Sequence, residues 1–103
     1  MMRNSGFQLR PEARRDMLHI WAFGADRWGR HQADAYARKL NGIFEMLAEM
    51  PGIGREHVFF DPPVRMHPAG VHMVVYTTGP DGVAILRVLG ARQDWMAVLG
   101  GDA

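Results

Sequence analysis

At 103 residues the chain has room for one domain with one core. Hydrophobic residues make up 48%, so a packed globule is expected, and the absence of cysteine excludes disulfides, thiolate catalysis and Cys-based metal sites. A net charge of +1 does not by itself indicate nucleic-acid binding, no apolar run approaches the ~18 residues of a membrane span, and residues 1–6 lack the apolar stretch of a secretory signal, so a cytoplasmic protein is expected.

Taken in chain order, Phe7-Gln8-Leu9-Arg10 alternates apolar and polar residues and reads as a short strand. Pro11 suits a first helical position, and Glu12 and Asp16 suit the positive end of a helix. Met17, Ile20, Trp21, Gly24 and Trp28 keep the helical period, and Gly29 is a natural stop. A second helix from about Arg30 to Met50 carries Ala33, Tyr36, Ala37, Leu40, Ile43, Phe44 and Leu47 on one face, and Pro51-Gly52 ends it. The very short link predicts an antiparallel helical hairpin, and Gly42 inside the second helix suggests a close helix contact.

Residues 51–64 read as an irregular connection, because Pro62 and Pro63 bar a central strand. Arg65 to Tyr76 and Val83 to Asp94 read as two β-rich runs joined at Gly79-Pro80-Asp81-Gly82, a strong turn signal. Asp94 to Leu99 fits one helical turn or a tail, and residues 1–6 and 100–103 are expected to be flexible. The predicted fold is α+β in the order β-α-α-β-β-β, a single domain over 1–103, with the helical hairpin packed on one face of a small antiparallel sheet.

Few residues offer chemistry. The five histidines, His19, His31, His57, His67 and His72, include no helical H-x3-H pair, and no metal site or cofactor is expected. Ser5 is the sole serine and stands near the end of the chain, so no catalytic triad can be assembled. Gly52-Ile53-Gly54-Arg55 lacks the third glycine and the preceding strand of a dinucleotide fingerprint. The arginines remain, since Lys39 is the sole lysine. At period two Arg87 shares a face with Val83, Ile85 and Leu89. It then pairs with an acid such as Asp94 or Glu45, lies on a solvent-exposed face, or joins Arg65 and Arg92 in a basic patch. Leu18 and Phe23 lie off the apolar stripe of the first helix and, with Phe59 and Phe60, suggest a surface covered by a partner.

These segments together resemble the ParE branch of the ParE/RelE toxin superfamily, from Phe7 to Leu99. The carrying residues are Leu9-Arg10-Pro11-Glu12-Ala13 with Asp16 and Ile20-Trp21; Ala33 and Tyr36; Met50-Pro51-Gly52-Ile53-Gly54-Arg55; Arg65, Pro68, Gly70, His72 and Tyr76; and Arg87-Val88-Leu89 with Arg92 and Asp94. Two positions depart from the pattern. Arg10 stands where the family has Ser or Thr before the helix, and Gly90 stands where it has His after Val-Leu.

The resemblance implies a toxin held in a hetero-oligomer by a ParD-like ribbon-helix-helix antitoxin, meeting DNA only through that partner. It implies structural roles for Pro11, Trp21, Pro51, Gly54, Arg55, Pro68, Gly70, His72, Tyr76 and Asp94. DNA gyrase is the implied target, inhibited by binding rather than catalysis. RelE-like relatives instead cut messenger RNA on the ribosome, with Lys, Arg and often a C-terminal Tyr or His. The tail after Asp94 offers Trp95, Met96 and Leu99, with no Tyr, His or Lys. The expected reading is therefore a non-enzymatic toxin with Arg65, Arg87 and Arg92 on its toxic surface and Leu18, Phe23, Phe59 and Phe60 on its antitoxin surface. A ribonuclease, or a non-toxic domain that only binds its antitoxin, are the alternatives.

Overall fold

The computed structural model describes residues 6–100, apart from the side chains of Trp95 and Met96. The ends expected to be flexible therefore fall largely outside the described residues, Ser5 included. Of those ends, Gly6 accepts a hydrogen bond from the Val83 N–H at 2.8 Å, and Gly100 closes the last helix.

Strand β1 (Phe7–Leu9) leads into helix α1 (Pro11–Trp28), which starts on Pro11 without a side-chain cap from Arg10. Gly29, at φ +99°, is the only residue between α1 and α2 (Arg30–Glu49). Trp21 Nε1 donates to Asp34 at 2.7 Å, and a Cβ built on Gly24 would lie 3.6 Å from the Cβ of Ala33. Those pairings run in opposite directions along the chain, as an antiparallel hairpin requires. The close approach of the helices is thus at Gly24 and not at Gly42, which has nothing within 4 Å of a built Cβ. Ala33, Leu40, Phe44 and Leu47 form the buried stripe of α2 as their spacing predicts. Trp28 departs from its expected stripe and is exposed, because the helix contact closes on small residues and leaves the indole outside.

A short 3-10 turn (Pro51–Ile53) precedes β2 (Arg55–His57), β3 (Val64–Ala69), β4 (His72–Gly79), β5 (Gly82–Gly90) and α3 (Trp95–Gly100). Two segments differ from their sequence reading. The connection over 51–64 contains an edge strand, β2, which ends before the prolines and pairs Arg55 with Met66. The run from Arg65 to Tyr76 is two strands, because Gly70 turns the chain at φ +63°, a conformation glycine adopts without strain.

The sheet order is β1-β5-β4-β3-β2. Strands β2 to β5 are antiparallel neighbours, whereas β1 joins β5 in parallel, pairing Phe7 with Val83 and Leu9 with Ile85. A parallel neighbour needs a long crossover, and the helical hairpin is the first part of it. In β5 a bulge places Val75 opposite Arg87 and Tyr76 opposite Ile85, so Leu86 is the extra residue. The bulge breaks the period-two reading of this strand. Val83, Ile85 and Val88 join the helix-side core, while Leu89 belongs to a second cluster, so Arg87 shares no single face with Val83, Ile85 and Leu89.

The helix-side core joins Ala13, Leu40, Phe44 and Leu47 to Val74, Tyr76, Val83 and Ile85. The second cluster, Val64, Met66, Val75 and Leu89, is covered by Phe60 and by Val98 and Leu99 of α3. Each such large apolar side chain contributes about 1.5–3 kcal/mol on full burial.

Two glycines in the hairpin should respond oppositely to substitution. Gly42→Ala adds a helix former at an open position and is expected to stabilise by about 0.5–1 kcal/mol. Gly24→Leu forces bulk into the helix contact and is expected to destabilise by about 1–3 kcal/mol. Urea midpoints check both, and equal responses would contradict the assigned contact.

Candidate functional site

Three polar knots tie the helices and loops to the sheet, and they hold several of the residues singled out in the sequence. The first is at the open end of β5. Past Ile85 the strand has outrun β1, and Asp16 of α1 reaches into the vacated position. Its Oδ2 accepts from Arg87 Nε at 2.8 Å and from the Val88 N–H at 2.8 Å, and its Oδ1 accepts from Arg87 Nη2 at 2.9 Å. This two-pronged pair, with side chains 28% and 12% exposed for Arg87 and Asp16, has the fork geometry that strengthens a charged hydrogen bond. Hydrogen bonding to Asp16 holds Arg87 above the usual arginine range, against the opposing pull of burial. The partner of Arg87 is therefore neither Asp94 nor Glu45.

The second knot centres on the Tyr76 hydroxyl, which donates to the Pro51 carbonyl and accepts from the Gly54 N–H, both at 2.8 Å. A Cβ on Gly54 would fall on that hydroxyl. Arg65 Nη1 donates to the carbonyls of Gly54 at 2.7 Å and Gly52 at 3.3 Å. Burial pushes the Tyr76 phenol up, and the Gly54 N–H and the Arg65 charge pull it back. Pro51, Gly54, Arg65 and Tyr76 thus form one construction that fastens the turn after α2 to β3 and β4. Arg55 stands beside it on β2, exposed.

In the third knot Tyr36 of α2 meets the turn between β3 and β4. Its hydroxyl lies 2.7 Å from Nδ1 of His72 and 3.3 Å from the Ala69 carbonyl, and it accepts from the Val71 N–H at 3.3 Å. A Cβ on Gly70 would lie 2.6 Å from that oxygen, so a close approach joins the positive φ in requiring glycine. Desolvation lowers the His72 pKa from 6.5, and the charge of Asp16 opposes it. Burial raises Tyr36, partly offset by the Val71 N–H. Neutral His72 with its proton on Nε2 accepts the Tyr36 O–H, whereas a protonated ring can only donate to it.

Asp94 accepts from the Ala97 N–H at 3.2 Å and caps α3, and Pro68 lies in β3 opposite Met73. The three candidate arginines do not share one depression. Arg65 lines one with Glu56, Pro62 and Pro63, and Arg87 lines another with Asp16, His19 and His72. Arg92 is exposed in the turn after β5, with no hydrogen bond or ion pair among the described residues. Leu18, Phe23 and Phe59 are exposed, whereas Phe60 packs on the second core cluster and is only partly available to a partner. Sequence reasoning missed Asp16 as the partner of Arg87, and Tyr36 as the partner of Gly70 and His72. It also missed Arg27, whose guanidinium lies 5.2 Å from the Phe23 ring and 5.8 Å from the Trp28 ring. Among the described residues no three His, Asp or Glu side chains converge as a metal site requires.

A family model described as the ParE toxin of the type II toxin–antitoxin system parDE matches residues 7–95. Toxin ParE1 of Caulobacter vibrioides is 37% identical over 94 residues, covering 91% of this chain and 97% of that protein. Toxin ParE1 of Mycobacterium tuberculosis is 36% identical over 92 residues, covering 88% and 94%. Among solved structures, a chain of the chromosomal ParDE system from P. aeruginosa superposes with a TM-score of 0.70 at 17% identity, over 82% of this chain and 94% of that one, a likeness of fold.

The first knot makes a quantitative expectation. Asp16→Ala strands both a guanidinium and a backbone N–H, and should cost about 2–3 kcal/mol after allowing for partial exposure. Arg87→Ala leaves the Val88 bond intact and should cost less, about 1–2 kcal/mol. The double variant should fall short of their sum, and strict additivity in denaturant midpoints would contradict the pairing.

The third knot makes a pH expectation. A histidine whose folded pKa lies below its unfolded value disfavours the protonated folded state. Stability should therefore be full above about pH 6.5 and fall as pH drops through 6.5 toward the lowered folded pKa. Thermal midpoints across that window test it, and His72→Gln should flatten the profile; an identical slope in the variant would overturn the assignment.

Proposed function

The chain belongs to the ParE toxin family of type II toxin–antitoxin systems, and on that premise we propose that it acts in the cytoplasm, inhibits DNA gyrase by binding rather than by catalysis, and is neutralised by a ParD-like ribbon-helix-helix antitoxin. The observation that supports a binding mode is the internal use of its polar groups. Arg87 is spent on Asp16, Arg65 on two carbonyls, Tyr76 on the Pro51–Gly54 turn, and Tyr36 and His72 on each other. Phosphodiester cleavage asks for a base, an acid and a cation free to meet the scissile group, and of the three candidate arginines Arg92 alone is uncommitted among the described residues. The curated relatives carry the name of ParE toxins, and the solved neighbour belongs to a ParDE pair, which supports a dedicated antitoxin partner.

Within this reading Arg92 is the candidate toxic arginine, being exposed and uncommitted among the described residues, while Arg65 and Arg87 act first on the fold. Leu18 and Phe23, exposed on α1, are the candidate antitoxin contacts.

Purified protein should inhibit gyrase supercoiling and leave ribosome-bound message intact. Arg92→Ala should weaken inhibition by about tenfold or more, a loss of ~1.4 kcal/mol, with an unchanged thermal midpoint and antitoxin complex. Unimpeded gyrase together with cleaved message would establish the RelE-like reading instead. Unaffected growth on expression without the antitoxin would indicate a chain that only binds its partner.

A further inference from the structure

Charge is divided unevenly between the helices and the sheet. Residues 10–39, which hold α1 and the first half of α2, carry seven Arg or Lys against four Asp or Glu, whereas residues 40–103 carry four against seven. The seven basic residues are exposed, and none of them forms an ion pair among the described residues. Of the four carboxylates, Asp16 is neutralised by Arg87 from the sheet, which leaves Glu12, Asp26 and Asp34 against the seven cations. The helical side of the molecule therefore presents a net positive surface to an anionic partner.

At the tip of the hairpin that charge meets aromatic surface. Trp28 is 60% and Phe23 57% exposed, and their rings stand edge to face with centroids 6.0 Å apart. Arg27 lies over both. Arg30 and His31 follow across Gly29, both exposed, and Asp26 is the acid of this tip. A Cβ built on Gly29 would meet nothing within 4 Å, so the approach is open. The fold has no use for the Trp28 indole, because the helices close on Gly24 and Ala33. A bare indole beside unpaired guanidinium groups matches what a nucleic-acid strand offers, bases to stack and phosphates to neutralise.

We propose that the tip of the helical hairpin binds a single strand of DNA, with an unpaired base stacked on Trp28 and flanking phosphates on Arg27 and Arg30. A single strand is specified because the bases of a duplex are closed to such a platform. The choice of DNA over RNA rests on the gyrase reading above, since that enzyme acts on DNA. The contact is indifferent to sequence, because every base has a face to stack and every nucleotide a phosphate. It adds a direct contact to the indirect one, through the antitoxin, that the family resemblance implies.

The test titrates the full chain, free of antitoxin, against a fluorescent oligothymidylate and reads anisotropy over a range of salt. Affinity should fall as salt rises, with a log–log slope of about −1.4 to −2.1, the mark of two or three phosphates. Trp28→Ala should weaken binding about tenfold, and Trp28→Phe, which keeps an aromatic face, should retain most of it. Arg27→Ala combined with Arg30→Ala should flatten the slope by about 1.4. If Trp28→Ala lowers the thermal midpoint, Trp28→Leu keeps apolar bulk without a stacking face and gives the same readout. Arg55→Ala removes an exposed cation from the sheet and should leave binding unchanged. An equal loss there, or full affinity in folded Trp28→Leu or in the double arginine variant, overturns the site. Equal binding of polyglutamate would assign the face to an acidic protein and overturn the proposal, and tighter binding of a duplex would overturn the stacked base. A wild-type chain that inhibits gyrase without binding the oligothymidylate overturns this inference and leaves the gyrase reading standing. One that does neither overturns both. Preference for oligouridylate, or oligothymidylate binding without gyrase inhibition, overturns the choice of DNA.

Discussion

The reach of Asp16 from α1 to β5 is the contact on which the rest of the molecule leans. A three-residue β1 cannot cover a nine-residue β5, so a helix packed across the sheet faces a strand edge with unpaired donors. One carboxylate answers the charge of Arg87 and the N–H of Val88 together. The same contact fixes where α1 lies relative to the sheet, and thereby the walls of the depressions beside His19 and His72. The bulge at Leu86 belongs to this arrangement, since it sets the register in which Arg87 stands opposite Val75.

Much of the scaffold was legible because it obeys local periodicity. The α2 stripe, the Pro11 start, the reversal at Gly29 and the turn at Gly79–Gly82 follow from spacing and from the conformational habits of proline and glycine. What escaped the reading depends on distance along the chain. Asp16 and Arg87 are 71 residues apart, and nothing in either neighbourhood names the other. Arg65 to Tyr76 read as one run, because the constraint on Gly70 is the Tyr36 hydroxyl, brought in from a different element. Gly42 suggested the close helix contact, and only the facing Ala33 shows that it lies at Gly24. For the candidate site, the motif named residues but not the contacts they make. Arg65 and Tyr76 were both singled out, and their common role in holding the Pro51–Gly54 turn appears only in three dimensions.

The family signature is therefore largely a description of how this small α+β domain holds itself together. Polar side chains of the signature reach backbone groups in the loops, which lets short connections remain ordered without disulfides. Several exposed side chains outside the signature take no part in that construction. The outer side of α1, with Phe23 and Trp28 edge to face and Arg27 over both, is of this kind.

The parallel pairing of β1 with β5 has a consequence for the order of events at synthesis. Phe7 finds its partner in Val83, and Gly6 its donor in the same residue, so the first strand waits for β5 to be made. Helices α1 and α2 can form from local contacts much earlier, but the sheet edge that Asp16 serves does not yet exist. A chain stopped short of β5 consequently lacks the β1–β5 pairing, and the fold is complete only once β5 has been made. For a toxin, that timing ties the appearance of a competent surface to the synthesis of β5.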